Sequence, residues 1–306
     1  MRVLLISHYF PPEVGTAPHL FHELAIGLRE NGHDVTVLTG FPRYNVSPAV
    51  AAEYRGLWRR ESMDEIAVLR TRWPWFPREW MIGRGLEQFI AAAAMALRAA
   101  AIRRHDVTVV YSPPLTLGIT AWALSKAGRG GPFVLNVQDL FPQSAIDLGA
   151  MKSPLQIAFF RWLERRLYRA AACVTVHSHG NAAHVRAAAG QAASVAVVAN
   201  WADRELFRSH PKDPRLLGVD ELDGEFVVSF AGTMGLSQDM EVIVQAASLL
   251  REHQDILFLL VGDGICKPEA QRLAEELDLS NIRWLPMQPR EKYPQVLATS
   301  DVSMVT

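Results

Sequence analysis

The sequence predicts an α/β protein made of two doubly wound domains, and three observations carry that reading. Short runs of Val, Ile and Leu recur along the whole chain, separated by stretches with helical patterning. The runs lack polar alternation, as expected of parallel strands covered on both faces. The alternation stops once, at a segment rich in Pro and charge, and then restarts. A length of 306 residues suits two domains of roughly 150 residues, each able to bury a core.

Taken in order, the predicted strands of the first half are Val3–Ser7, Val35–Thr39, Ile66–Arg70, Val107–Tyr111, Phe133–Val137, Cys173–Val176 and Val195–Val198. Helices are expected at Ala17–Asn31, Ile82–Arg103, Leu115–Lys126, Pro154–Ala171 and Asn181–Ala189. Asn31-Gly32 marks the end of the first helix. Residues 200–223, with Pro211 and Pro214 and no periodicity, read as an interdomain linker between domains at 1–199 and 224–306. The second domain repeats the βα pattern, with strands at Val227–Phe230, Leu257–Val261, Ile282–Leu285 and Val302–Thr306. Its helices are expected at Met240–Glu252, Pro268–Asp278 and Glu291–Thr299. Four strands with no closing helix leave this domain incomplete on the doubly wound plan.

Composition narrows the function classes. Net charge is −1, which gives no bulk attraction to nucleic acid. The two cysteines, Cys173 and Cys266, are far apart, which argues against a disulfide framework or a zinc site and fits a reducing compartment. The N-terminal MRVLLIS reads as a buried strand and not as a signal peptide. No Asp-x-Asp motif calls for a metal, and the first βα loop lacks the G-x-G-x-x-G of a dinucleotide site. No cofactor is therefore expected. The charge is uneven: residues 1–203 hold 21 Lys and Arg against 15 Asp and Glu, whereas residues 204–306 hold 10 against 17.

Ligands of open α/β sheets bind at the carboxyl ends of the strands, so the loops there carry the candidates. Gly15, Thr16 and Ala17 open the first helix and offer free backbone N–H groups at its positive end, an anion site or simply a turn. Gln138 and Asp139 end an apolar strand; Asp139 suits proton handling or, alternatively, capping of the next segment. In the run FAGTMG, Gly232, Thr233 and Gly235 allow a phosphate to approach the backbone, and Ser237 and Asp239 suit a helix cap. Gly262 and Gly264 form a second such turn, with Lys267 at the start of the following helix, where a bound phosphate would offset its unfavourable place on the helix dipole. Two further stretches suit a membrane surface: Arg70–Arg84, where arginines interleave with Trp73, Trp75, Phe76 and Trp80, and the basic amphipathic Phe159–Arg169. For both, core packing beneath an exposed basic face is the alternative.

These pieces together resemble a known family. HYFPPEVGT at 8–16, QDLFPQSAIDLG at 138–149, WLERRLYRAAACVTVHS at 162–178, VVANWADRELF at 197–207, FAGTMG, LLVGDG and IRWLPMQPREKYPQVLATSDVSMV follow the order of the retaining glycosyltransferases called group 1 or family 4. The chain resembles most the branch of bacterial O-antigen and colanic-acid assembly, including L-fucosamine-type transferases. The resemblance implies a GT-B fold, two Rossmann-like domains with parallel sheets facing a cleft. It implies transfer, with retention, of a sugar from a nucleoside diphosphate such as UDP to an undecaprenyl-pyrophosphate-linked acceptor. The site would be cytoplasmic, peripheral on the anionic inner face of the membrane. On this reading the donor lies at Gly232, Thr233, Gly235, Gly262, Gly264 and Lys267, with the base read near Met287, and the acceptor near Gly15, Thr16 and Asp139. The sequence departs from the family where relatives carry His, at Gln138, and where they carry the pyrophosphate cations, at Thr233 and Gln238. A sugar-nucleotide epimerase of the same architecture and a non-catalytic nucleotide-binding partner are the alternatives.

Overall fold

The computed structural model describes residues 1–74, 76, 81–190, 193–213 and 225–306, and divides into two compact units, Met1–Trp201 and Ala202–Thr306. Trp75 and Trp80, invoked above for a membrane surface, and the whole Pro214–Asp223 stretch lie outside the described residues.

The first unit is built on an eight-stranded sheet of order β3-β4-β2-β1-β5-β6-β7-β8. Its strands are β1 (Arg2–Ile6), β2 (Asp34–Gly40), β3 (Trp58–Met63), β4 (Ile66–Thr71), β5 (Val107–Ser112), β6 (Phe133–Val137), β7 (Cys173–Val176) and β8 (Val195–Val197). All pairs are parallel except β3 with β4. The helices are α1 (Thr16–Glu30), α2 (Pro48–Ala52), α3 (Met81–Ala100), α4 (Leu117–Lys126), α5 (Gln143–Asp147), α6 (Pro154–Ala170) and α7 (His179–Ala189). One face of the sheet packs Val3, Leu5, Val35 and Val37 with Phe21 and Ala25 of α1. The other packs Leu4, Ile6, Leu135 and Val174 with α3, α4, α6 and α7. Burial on both faces is why these strands read as unbroken apolar runs.

The antiparallel edge strand β3 is not apparent in the apolar pattern, because Trp58–Met63 carries Arg59, Arg60 and Glu61 in a row and alternates exposed with half-buried positions at the sheet edge. Its hairpin to β4 turns on Asp64 and Glu65, both with φ near +50 to +60°, the backbone of a type I′ turn. α1 holds that turn through Arg29, which reaches Glu65 Oε2 at 2.8 Å, and through His22 Nε2, 2.7 Å from Asp64 Oδ2.

The Arg70–Arg84 stretch does not present its first residues to a membrane. Arg70 is wholly buried: it pairs with Glu61 and donates to the carbonyls of Gly40, at 3.1 Å, and Pro11. Trp73 is 5% exposed and packs into the core. A guanidinium here ties three strands' ends together, which an exposed headgroup contact cannot do. Arg72, two residues on, is exposed.

The second unit carries a four-stranded parallel sheet of order β11-β10-β9-β12, with β9 (Phe226–Thr233), β10 (Ile256–Asp263), β11 (Ile282–Leu285) and β12 (Val302–Ser303). Its helices are α8 (Met240–Leu249), α9 (Lys267–Glu276) and α10 (Tyr293–Thr299). Phe230, Phe258 and Leu260 pack against α8 and α9, and Val227, Leu257, Leu259 and Val261 fill the opposite face. Among the described residues no helix is long and apolar enough to cross a membrane.

Candidate functional site

In each sheet the chain runs outward on one side of the first strand and then crosses to the other side. The crossing falls between β1 and β5 in the first unit and between β9 and β12 in the second. Loops from neighbouring strands diverge there and leave a crevice at the carboxyl ends.

In the first unit the β1 loop leads into α1 through Gly15, which makes no side-chain cap and leaves the first N–H groups of the helix without an acidic neighbour in the first turn. Thr16 is the first helical residue, and Pro18 has no N–H to offer, so the amides at Gly15–Ala17 are the ones that face outward. Across the switch point stand Tyr111 at the end of β5 and Asp139 beyond the end of β6. Asp139 is solvent-accessible, yet the protein around its carboxyl pushes its pKa up from the ordinary value, and His177 beyond β7 partly draws it back. Tyr111 is buried, and both that burial and the Asp139 charge raise its pKa. Asp139 does not cap the next helix: α5 has Pro142 at its N-cap and no side-chain cap bond.

Gln138 holds the Asp139 loop in place. Its backbone N–H donates to Ser112 O at 2.9 Å, its Nε2 donates to Asn136 Oδ1 at 3.0 Å, and its Oε1 accepts from Asn200 at 2.8 Å. Asn136 in turn donates to Thr175 Oγ1 at 3.0 Å. Both ends of the Gln138 amide are thereby engaged. Trp201 Nε1 donates to Glu23 of α1 at 2.8 Å, so Asn200 and Trp201 are pinned to the first unit at the point where the chain leaves it.

In the second unit the two glycine loops pack on each other. Gly262 pairs in register with Gly232, and a Cβ on Gly262 would lie 1.9 Å from Gly232 O. One on Gly264 would lie 2.3 Å from Met234 O. These two glycines, both with positive φ, are required by the fold itself. Gly232 and Gly235 are different. A Cβ on Gly232 would make only ordinary contact with the Phe230 ring, whereas one on Gly235 would lie 3.0 Å from Gln238 Oε1, which accepts the Gly235 N–H at 3.2 Å. Packing therefore does not demand the glycine at 232. Thr233 is exposed beside them.

Lys267 opens α9, and its ammonium donates to Gly262 O at 2.8 Å and to Leu285 O at 3.4 Å. Carbonyls at the ends of β10 and β11 thus offset its place at the positive end of the helix dipole, and one N–H is left over. Beyond β11, Met287 Sδ accepts from Tyr293 at 3.4 Å, and Gln288 donates back to Pro286 O at 3.1 Å, which fixes that loop.

Sequence reasoning missed Tyr111, His177, Glu13 and Arg43. His177-Ser178 at the end of an apolar strand is the same kind of signal as Gln138-Asp139 and was available. Glu13 and Arg43 gave no signal, because their partners lie in other loops. Among the described residues no cluster of His, Cys, Asp and Glu has the makings of a metal site.

The model of the glycosyl transferase 4-like domain matches residues 15–201, about three-fifths of the chain. The chain belongs to this family. Two curated relatives align along all of it. One, from Pseudomonas aeruginosa, is named as a probable glycosyltransferase, WbjE, at 26% identity and 74% of its own length. The other, WcaI of Escherichia coli K12, has a name that proposes a colanic acid biosynthesis glycosyl transferase, at 24% identity and 76% of its length. Solved structures share the GT-B fold. The sucrose-phosphate synthase of Thermosynechococcus elongatus superposes with a TM-score of 0.76 at 17% identity, over 99% of this chain and 75% of its own. Anabaena HepE in complex with UDP and glucose superposes at 0.66 and 18%, over 100% of this chain and 74% of its own. Members of the glycosyl transferase 4-like family are glycosyltransferases, and the fold class and the family expected from sequence are both shown.

Proposed function

We propose that this glycosyltransferase takes its sugar from a UDP-linked donor held by the second unit and passes it, with retention, to an undecaprenyl-pyrophosphate-linked acceptor met by the first. The single observation that carries the donor side is Gly232, next to Gly235 in the same loop, a glycine at the switch point that packing does not demand. HepE, a structure of the same fold, is described in complex with UDP and glucose, which supports UDP as the donor nucleotide. On this reading Thr233, Gly262, Gly264 and the remaining N–H of Lys267 complete the diphosphate cradle, and the backbone about Met287 reads the base. Charge developing on the leaving diphosphate is met by N–H groups fixed in advance, which need no reorganisation as the bond breaks. Asp139, with Gln138 holding its loop, orients the acceptor hydroxyl or takes its proton. The acceptor's own phosphate faces the amides of Gly15 and Thr16.

A lipid-linked acceptor stays in the bilayer, so the enzyme works on the inner face of the membrane as a peripheral protein. Exposed Leu155, Phe159 and Trp162 on α6, with Arg161, Arg165 and Arg166 beside them, support that placement.

Calorimetry with UDP tests the donor side. Gly232→Val keeps a residue that suits a strand and puts two methyls where the phosphate should approach; UDP affinity is expected to fall at least about tenfold, some 1.4 kcal/mol, with the melting temperature nearly unchanged. Gly264→Ala should instead destabilise the unit, since its Cβ meets backbone. Equal UDP affinity for wild type and Gly232→Val refutes the cradle.

A further inference from the structure

Glu13 lies in the β1 loop, 1% exposed, and the reaction as described makes no use of it. Its Oε2 accepts the N–H of Phe10 at 3.1 Å, and its Oε1 accepts the N–H groups of Arg43 and Tyr44, each at 2.9 Å. The first donor belongs to Glu13's own loop, and the other two belong to the loop after β2. One carboxylate thus bridges loops from two adjacent strands. Asn45 adds a second tie, donating to Val14 O at 3.1 Å. Beneath them, buried Arg70 holds Pro11 O and Gly40 O, the roots of the same two loops. Burial raises the Glu13 pKa, against the pull of its three N–H donors and Arg70. Burying an ionisable group is costly, and packing alone needs only an apolar side chain. What the carboxylate adds is a fixed spacing between the loops.

That spacing sets two exposed-edge tyrosines against each other. The rings of Tyr9 and Tyr44 are 5.4 Å apart at an interplanar angle of 42°, both half-buried. A Cβ on Gly15 would stand 3.9 Å from the Tyr44 ring, so the pair borders the start of α1. The row continues inward: His8 is 4.6 Å from Tyr9 and 5.1 Å from Trp73, and Arg43 lies over Trp73 at 5.5 Å. Aromatic faces with a few fixed polar groups suit a ring whose faces carry C–H bonds, and the neighbouring amides suit a phosphate.

We propose that Tyr9 and Tyr44 are the platform for a phosphate-linked pyranose of the acceptor, and that Glu13 is a positioning residue that holds the two tyrosines in register. The proposal rests on the reading that the first unit takes the acceptor. The sugar ring lies on the tyrosine faces, and its phosphate lies toward the amides of Gly15–Ala17.

The test is titration of N-acetylglucosamine 1-phosphate, galactose 1-phosphate, glucose 1-phosphate and inorganic phosphate into the whole protein with UDP at saturation, so that the donor cradle is filled. Wild type is expected to bind at least one sugar phosphate about tenfold tighter than inorganic phosphate, the scale of one stacked ring. Tyr44→Ala should erase that advantage and leave inorganic phosphate binding, UDP affinity and melting temperature near wild type. Glu13→Gln keeps the shape but sets an NH2 against one of the backbone donors, and should erase it likewise, with UDP affinity retained. No advantage in wild type, or an advantage that survives Tyr44→Ala, overturns the platform. A full advantage in Glu13→Gln, or its loss there only together with UDP binding and cooperative melting, overturns the positioning role. Should wild type bind sugar phosphates but not UDP, the nucleotide-sugar reading fails and the platform stands.

Discussion

Single residues divide sharply between those the fold requires and those it leaves for chemistry. Gly262 and Gly264 are glycines because backbone occupies the space a Cβ would take, whereas Gly232 has room. Arg70 looked from sequence like a headgroup contact and is instead a buried tie, so Arg70→Gln should destabilise the first unit and not merely weaken lipid binding. Asp139 falls in the other class. No helix depends on it, and the protein around it raises its pKa. Asp139→Asn is expected to keep the melting temperature within a degree or two and to cut turnover about 100-fold or more, the usual scale for a positioned acid or base. In wild type the acid limb of the rate profile should lie above the ordinary carboxylate range, since a group acting in its charged form is lost as pH falls through its raised pKa. Normal turnover in the variant, measured as UDP released on transfer, assigns Asp139 no part in the reaction.

Among elements, the seam between α6 and α7 has a pH dependence of its own. Glu164 of α6 is 4% exposed, and His184 Nε2 of α7 lies 3.2 Å from its Oε1. Burial raises the Glu164 pKa, with His184, Tyr168 and Arg161 pulling it partly back. Tyr168, buried beside it, is raised too. The sign follows from proton counting. The folded seam keeps the Glu164 proton at pH values where the unfolded chain, with a glutamate pKa of about 4.3, has released it. This residue's contribution is therefore fully present below that value and is lost as pH rises through the raised folded pKa. The loss has a ceiling of about 1.4 kcal/mol per pH unit for one proton. Glu164→Gln removes the dependence. Melting temperatures taken from pH 4 to pH 7 should show wild type losing ground to the variant as pH rises. Parallel curves would place the titration elsewhere.

At the scale of the whole molecule the uneven charge acquires a surface. The first 203 residues are net basic and the remainder net acidic. α6 gathers exposed Arg161, Arg165 and Arg166 around exposed Leu155, Phe159 and Trp162, the Phe159 ring lying 6.0 Å from Trp162 and 5.2 Å, edge-on, from Phe160. Its acidic residue, Glu164, is turned inward. A face of this kind suits an anionic bilayer: the arginines are drawn to headgroups and the aromatics enter the interface. Co-sedimentation with phosphatidylglycerol vesicles should require the anionic lipid and weaken as salt rises. Replacing the three arginines with Gln should lower binding about tenfold or more, and Phe159→Ala with Trp162→Ala should lower what remains at high salt. Protein that ignores such vesicles at low salt is not peripheral through this face.

The sequence by itself determined the α/β class, both sheets, nearly every parallel strand and the family, because buried parallel strands leave short apolar runs that recur between longer helical stretches. It also marked the loops where a ligand approaches, since polar and glycine residues at the ends of apolar strands are local signals. Tertiary structure decided what each marked residue does. β3 escaped notice because its inward positions include Arg59 and Glu61, the latter paired with Arg70 of β4, so it leaves no apolar run. Arg70 was misread, and Trp73 stayed open between membrane and core, because an arginine beside tryptophans looks alike whether its partners are lipids or carbonyls brought in from distant strands. Glu13 and Tyr111 became candidates only when β1, β2, β5 and β6 lay side by side. Their environments are set by residues tens of positions away, and burial by such neighbours leaves no trace in a local pattern.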